Sequence, residues 1–214
     1  PFLIGLSDIN NIKEQFGEDS SEYWTQARGR PKGRGSYTTF LDSNLVDEQD
    51  MRGQFFFVDR PVTFCGFDPA FTSGGDRPFL SFAKVGLTTL GYIGIQFTDE
   101  VQLKIEPAEG ETVTDFLTRR VAAECAKRKC LGMNFGMDCT GQETLADVLS
   151  VRIGKGINRE SFATMASQDQ VSVKDKRPGR KAFKDRVTEI WHLLSLYGRN
   201  GHIRGLSADA ITEF

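Results

Sequence analysis

The sequence predicts an α/β fold, a mixed sheet flanked by helices, and three observations carry that prediction. Short β-type runs separated by turn residues fill positions 54–106, as in an antiparallel meander. From Thr112 onward the apolar period lengthens to about 3.6, and helical segments alternate with strands. Two of the apolar strands end in aspartate just before a glycine-containing turn. One is Val62-Thr-Phe-Cys-Gly-Phe-Asp68-Pro-Ala and the other Leu131-Gly-Met-Asn-Phe-Gly-Met-Asp138-Cys-Thr-Gly141.

Taken in order, Ser7–Phe16 predicts a short helix, with an N-cap and apolar positions at Ile9, Ile12 and Phe16. Gly and Pro punctuate Ala27–Gly35, which reads as a basic linker containing Arg28, Arg30, Lys32 and Arg34. Residues 1–52 are therefore expected to be a linker segment and 53–214 the domain proper. Strands are expected at Gln54–Val58, Val62–Asp68, Phe79–Leu87, Gly91–Phe97 and Glu100–Glu106. Thr112 caps a helix over Val113–Lys129, whose Val113, Phe116, Leu117, Val121 and Cys125 share one face. Leu131–Asp138 is the next strand, Thr144–Val151 a helix and Ile157–Phe162 a further strand. Phe183, Val187, Ile190, Trp191, Leu194 and Tyr197 form the clearest amphipathic stripe, with Gly198 and Gly201 closing that helix. Ile203 is a short extended segment, and Ser207–Phe214 starts another helix. If the strand ending in Asp68 neighbours the one ending in Asp138, both acids reach one edge, and the arrangement is ribonuclease-H-like.

Bulk properties narrow the classes. At 214 residues the chain can bury one full core. A hydrophobic content of 39% with 26% charged residues is globular, not disordered. The net charge of −2 advertises no polyanionic partner, although a local basic strip operates on an acidic protein. Cys65, Cys125, Cys130 and Cys139 form no Cys-x-x-Cys pair, which argues for reduced, buried thiols over a zinc site. No apolar run approaches the roughly 18 residues a membrane span needs. The chain starts at Pro1, so an excised fragment is expected.

The paired aspartates supply the chemistry. Hard carboxylate oxygens select Mg²⁺ or Mn²⁺. Two such ions about 4 Å apart are a standard apparatus for in-line attack on a phosphodiester. Asp68 and Asp138 are thus the expected metal-binding and catalytic acids of a nuclease. The turn-forming habit of Asp-Pro offers a plain alternative for Asp68 alone. Asp76 after Gly-Gly reads as a turn residue, and Asp147 as a solvated or capping acid.

With these motifs in place, the chain resembles the nuclease domain of the large terminase subunit, the DNA-packaging motor of tailed bacteriophages. Four passages carry the resemblance over nearly the whole chain: Phe16–Pro31, Gly66-Phe-Asp-Pro-Ala with Gly75-Asp76, Asp138-Cys-Thr-Gly-Gln with Leu145–Leu149, and Phe183–Trp191. The resemblance implies an endonuclease that cuts concatemeric viral double-stranded DNA by two-metal hydrolysis, with Asp68 and Asp138 as its first two acids. It also implies a parent protein with an ATPase half, a portal protein and a small terminase subunit as partners, and the host cytoplasm as location. The third acid of the family sits in a later Ser-Pro-Asp…Asp-Ala segment. Ser207-Ala-Asp209-Ala210 looks superficially like it but follows the long helix too soon, so the third acid is expected beyond Phe214. No Gly-x-x-x-x-Gly-Lys-Ser/Thr motif occurs, so the motor half is not in this chain.

The run Lys174-Asp-Lys-Arg-Pro-Gly-Arg-Lys181 holds five basic residues in eight. Lys174, Lys176, Arg177, Arg180 and Lys181 are the expected phosphate contacts, the plain alternative being a solvated loop. His192 beside Trp191 reads as structural, and His202 has no required role. The rival functions are an ATP-binding domain of the actin and sugar-kinase type and a non-catalytic DNA-docking module. Pro69 weakens the first, because it removes a backbone N–H that a phosphate loop would use.

Overall fold

The computed structural model describes residues 9–10, 13, 43–69, 77–162, 164–171 and 176–207. The chain divides into two units, one of residues 1–42 with Phe214 and one of Ser43–Glu213. In the first, Ile9, Asn10 and Lys13 are helical, within the helix expected over 7–16. The expected basic linker, Asp76, Lys174, Asp209 and the helix start after Ser207 lie outside the described residues.

The second unit begins at Ser43 and contains a short helix α1 (Ser43–Glu48) ahead of the sheet. Val46 and Met51 are buried there, and the Met51 carbonyl accepts the Leu206 N–H at 3.0 Å. Strands β1 (Val62–Asp68), β2 (Phe79–Leu87) and β3 (Ile93–Gln102) form the meander. Helix α2 (Val113–Arg128), strand β4 (Phe135–Asp138), helix α3 (Glu143–Ile153) and strand β5 (Asn158–Glu160) follow. A single turn α4 (Gly179–Ala182), helix α5 (Arg186–Arg199) and strand β6 (Ile203–Arg204) complete the described chain.

The sheet order is β5-β4-β1-β2-β3-β6. β1 pairs antiparallel with β2, and β2 antiparallel with β3. β4 is parallel to β1, β5 to β4, and β6 to β3. A three-stranded meander whose first strand takes β4 as a parallel neighbour, with β5 parallel beyond it, is the ribonuclease-H-like α/β arrangement expected from the sequence. The core lies on one face, where Cys65, Phe67, Leu80, Phe82, Phe135 and Met137 meet Phe116, Leu117 and Val121 of α2 and Leu145 and Leu149 of α3. The predicted cap forms: the Thr112 side chain accepts the Asp115 N–H at 3.1 Å.

Several boundaries differ for physical reasons. Gln54–Val58 makes only a bridge from Phe57 to Thr88, because Pro61 and the exposed Phe56 suit a hook over the hairpin end, not a central strand. The two strands expected across 91–106 are one. Thr98 falls in a bulge, where Phe82 pairs Asp99 and Ala83 pairs Phe97, and its hydroxyl donates to the Phe82 carbonyl at 3.3 Å. A 3₁₀ turn at Gly132–Asn134 replaces the start of the strand expected from Leu131. The long helix starts at Arg186, not Phe183, because Asp185 caps it by accepting the Thr188 N–H at 2.8 Å. It runs through Gly198 to Arg199. Trp191, expected in the core, is 39% exposed, whereas Glu189 is only 3% exposed.

All four cysteines are free and buried. The hydrogen bond from Cys130 lowers the Cys125 thiol, but Cys65 and burial outweigh it and push it up to about 12. Cys130 is likewise raised by its bond to Cys125 and by burial. Burial shields all four thiols, so none should react promptly with an aromatic disulfide reagent in the folded protein at pH 8. All should do so in denaturant, and prompt reaction of Cys125 or Cys130 in the native state would contradict this packing.

Candidate acid site

The site is built by strand register. β1 and β4 pair Gly66 with Gly136 and Phe67 with Met137, so Asp68 and Asp138 each follow the same paired position. Neighbouring strands lie about 4.8 Å apart and side chains alternate, which sets both acids at one end and on one face of the sheet. The intervening Phe67 and Met137 point the other way, 3% exposed each, and lock both strands onto the core. The next pairing carries a third carboxylate to this edge, because Asp138 is the register partner of Glu160 on β5. Asp68, Asp138 and Glu160 line one cavity of about 290 Å³, together with Gly66, Gly136, Phe162 and Ile190. Gly66 and Gly136 leave its floor bare. A Cβ built on Gly66 meets nothing within 4 Å.

Each acid has a different setting. Asp68 is exposed and lies directly before the buried Pro69. Asp138 is half-buried, and its Oδ1 accepts the Thr140 N–H at 2.8 Å and the Thr140 hydroxyl at 2.6 Å. That Thr140 oxygen also accepts the Phe162 N–H at 3.1 Å, which ties the turn after β4 to the end of β5. Gly141 completes the turn with φ of 70°, a value that only glycine adopts without strain. Glu160 is engaged by Arg186, whose Nε and Nη2 donate to its two oxygens at 2.9 and 3.1 Å. This fork holds the guanidinium above the ordinary arginine range, against the opposing effect of burial.

Asp68 and Asp138, expected to converge, do line the same cavity. Glu160 was missed as a site residue: it lies within the strand expected at Ile157–Phe162, but only the pairing of that strand with β4 sets it beside Asp138. A repeated signal was present in the sequence, since Gly66-Phe-Asp68 and Gly136-Met-Asp138 share the same glycine–apolar–aspartate spacing. Asp147 stands apart on α3, exposed and paired with Arg159 at 2.7 Å. Lys176, Arg177, Arg180 and Lys181 are exposed and do not line the cavity. Residues 176–181 also make regular backbone contacts that their Pro and Gly do not announce. Gln170 bridges Pro178, the Val171 N–H reaches the Arg177 carbonyl at 3.0 Å, and Gly179 opens α4. His202 stacks on Tyr92 with ring centres 4.4 Å apart.

The donor chemistry of Asp68 and Asp138 fits a hard divalent cation. Among the described residues no group of three or more His, Cys, Asp or Glu side chains is placed to hold a metal ion. Mg²⁺ does not require such a cage: it is commonly bound by one or two carboxylates, with water and substrate phosphate filling the rest. Among the described residues, no helix is long and apolar enough to cross a membrane.

No protein-family model matches the chain, and no curated protein matches it in sequence. Among solved structures, it is similar to the human cytomegalovirus terminase nuclease domain, Mn-soaked and inhibitor-bound. The identity is 10%, the TM-score 0.37, and the match covers 78% of this chain and 74% of that one.

Proposed function

We propose that this chain is a metal-dependent endonuclease domain acting on double-stranded DNA, the nuclease portion of a viral DNA-packaging terminase. One observation carries the reading: two carboxylates in register on adjacent parallel strands, Asp68 and Asp138, share a glycine-floored cavity at the sheet edge. Asp68 and Asp138 would hold Mg²⁺ or Mn²⁺, which when bound supplies Lewis-acid polarisation of a phosphoryl oxygen and activation of water. The chain's own contributions are positional. Thr140 fixes Asp138 through two hydrogen bonds, so one carboxylate oxygen is committed to the turn. Gly66 and Gly136 add no side chain of their own to the cavity floor, which leaves room for a backbone phosphate at the sheet. The terminase context, including portal and small-subunit partners, an ATPase half and the host cytoplasm, rests on the sequence resemblance.

The test is nicking of supercoiled plasmid by the purified chain in Mn²⁺, Mg²⁺ or chelator. Weak cleavage, stronger in Mn²⁺ and absent in chelator, is expected. DNA binding without metal-dependent cleavage would make the chain a docking module instead.

Phosphates are to be held by Lys174, Lys176, Arg177, Arg180 and Lys181 without base readout. Replacing all five with Ala should weaken binding equally for unrelated duplexes. The slope of log affinity against log salt should fall by about 0.9 for each phosphate that is no longer neutralised. An unchanged affinity and slope would reduce the run to a solvated loop.

A further inference from the structure

The most unusual charged group in the described chain is Glu189, a carboxylate 3% exposed on helix α5. Such burial is costly unless every lone pair is used. Glu189 accepts the Ser167 N–H at 2.7 Å, the Ser167 hydroxyl at 2.5 Å, and Arg186 Nη1 at 2.8 Å. Burial alone would raise this carboxyl, yet the Ser167 and Arg186 bonds hold it below the usual range. Gly179 packs directly against it, since a Cβ there would lie 2.3 Å from Glu189 Oε1. The same knot gathers the backbone of the basic segment. The Arg180 N–H donates to the Ser167 carbonyl at 2.9 Å, and the Gly179 N–H to the Asp169 carbonyl at 2.8 Å. On its other side Arg186 grips Glu160, which lines the acid cavity.

We infer that Arg186 and Glu189 are positioning residues that fix the basic segment 176–181 to the rim of the acid cavity, so that duplex phosphates gripped by that segment are delivered to Asp68 and Asp138. The inference rests on the nuclease reading above. A bidentate guanidinium between Glu160 and Glu189 gives the linkage a defined geometry that a lone surface pair would not. Neither residue need touch DNA. Their effect is to hold Arg180 and Lys181 in one place relative to the sheet edge, which lowers the ordering cost of binding.

Glu189→Gln is the decisive variant, because it keeps the shape and removes one negative charge. Through-space electrostatics alone predicts tighter binding to a polyanion. Loss of positioning predicts the opposite sign. Titrating a labelled duplex against the 214-residue chain over a range of salt should show about fivefold weaker binding at an unchanged salt slope, because every phosphate-binding cation is still present. Arg186→Lys, which keeps the charge but loses the fork, should weaken binding similarly and serves if Glu189→Gln does not fold. Thermal melting fixes the folded fraction to which affinities are referred. Equal or tighter binding by a folded variant overturns the inference and leaves the nuclease reading standing. Failure of the wild-type chain to bind duplex at all would instead remove the reading on which it rests.

Discussion

Asp68→Asn should cut Mn²⁺-dependent plasmid nicking at least about a hundredfold, beyond the 10–100-fold typical of changes outside the metal's own ligands. The amide has the size of the carboxylate but neither its charge nor its affinity for a hard cation. Asp68 is an exposed strand-end residue, and the packing that holds β1 in place comes from Cys65 and Phe67 on the opposite face. Stability should therefore change by no more than about 0.5 kcal/mol. Asp138→Asn should be nearly as inactive, and its carbonyl can still accept the Thr140 bonds that shape the turn. Parallel nicking assays and thermal melts on both variants decide the matter. Full cleavage by Asp68→Asn would mean that another residue holds the metal, and a collapse of its melting temperature would make the acid structural.

The two acids were legible because each ends a strand whose apolar alternation is clear and whose glycine turn follows at once. The remainder of the site was not, and the reasons are local. Glu160 sits within the strand expected at Ile157–Phe162, but its place at the site comes from pairing with β4, and nothing in Asn158-Arg-Glu names that partner. Glu189 was passed over because periodicity counts apolar residues. Its burial depends on Ser167 and Arg186, partners that no helical wheel displays. Trp191 is the converse, an apolar residue on the predicted stripe that stays part-exposed because α5 turns Glu189 and Gly198 inward. Thr98 misled for a related reason. A Thr-Asp-Glu run reads as a turn, but a one-residue bulge absorbs it and the strand continues. Patterns that act along one segment were readable. Those that need a second segment to supply a partner were not.

Phe135→Ala should be the most destabilising single change near the site, at about 3–5 kcal/mol. Phe135 is fully buried on the core face of β4, with its ring 6.1 Å from that of Phe67. Its backbone partner is Cys65 on β1. Loss of the ring removes the packing between the two acid-bearing strands and the core beneath them. Close-packed neighbours relax only in part, so a cavity adds to the lost burial. In a domain of this size the melting temperature should fall by about 10 °C, since each kcal/mol moves it by about 2–4 °C. The strand register comes from backbone pairing and is retained while the sheet is folded. Cleavage per folded molecule at low temperature should therefore stay within about fivefold of wild type, the opposite of the Asp68→Asn result. A melt shifted by less than about 3 °C would show that this site collapses without a cavity. A stable variant without activity would show that Phe135 sets the placement of Asp138 itself, and that the acids depend on the core for more than stability.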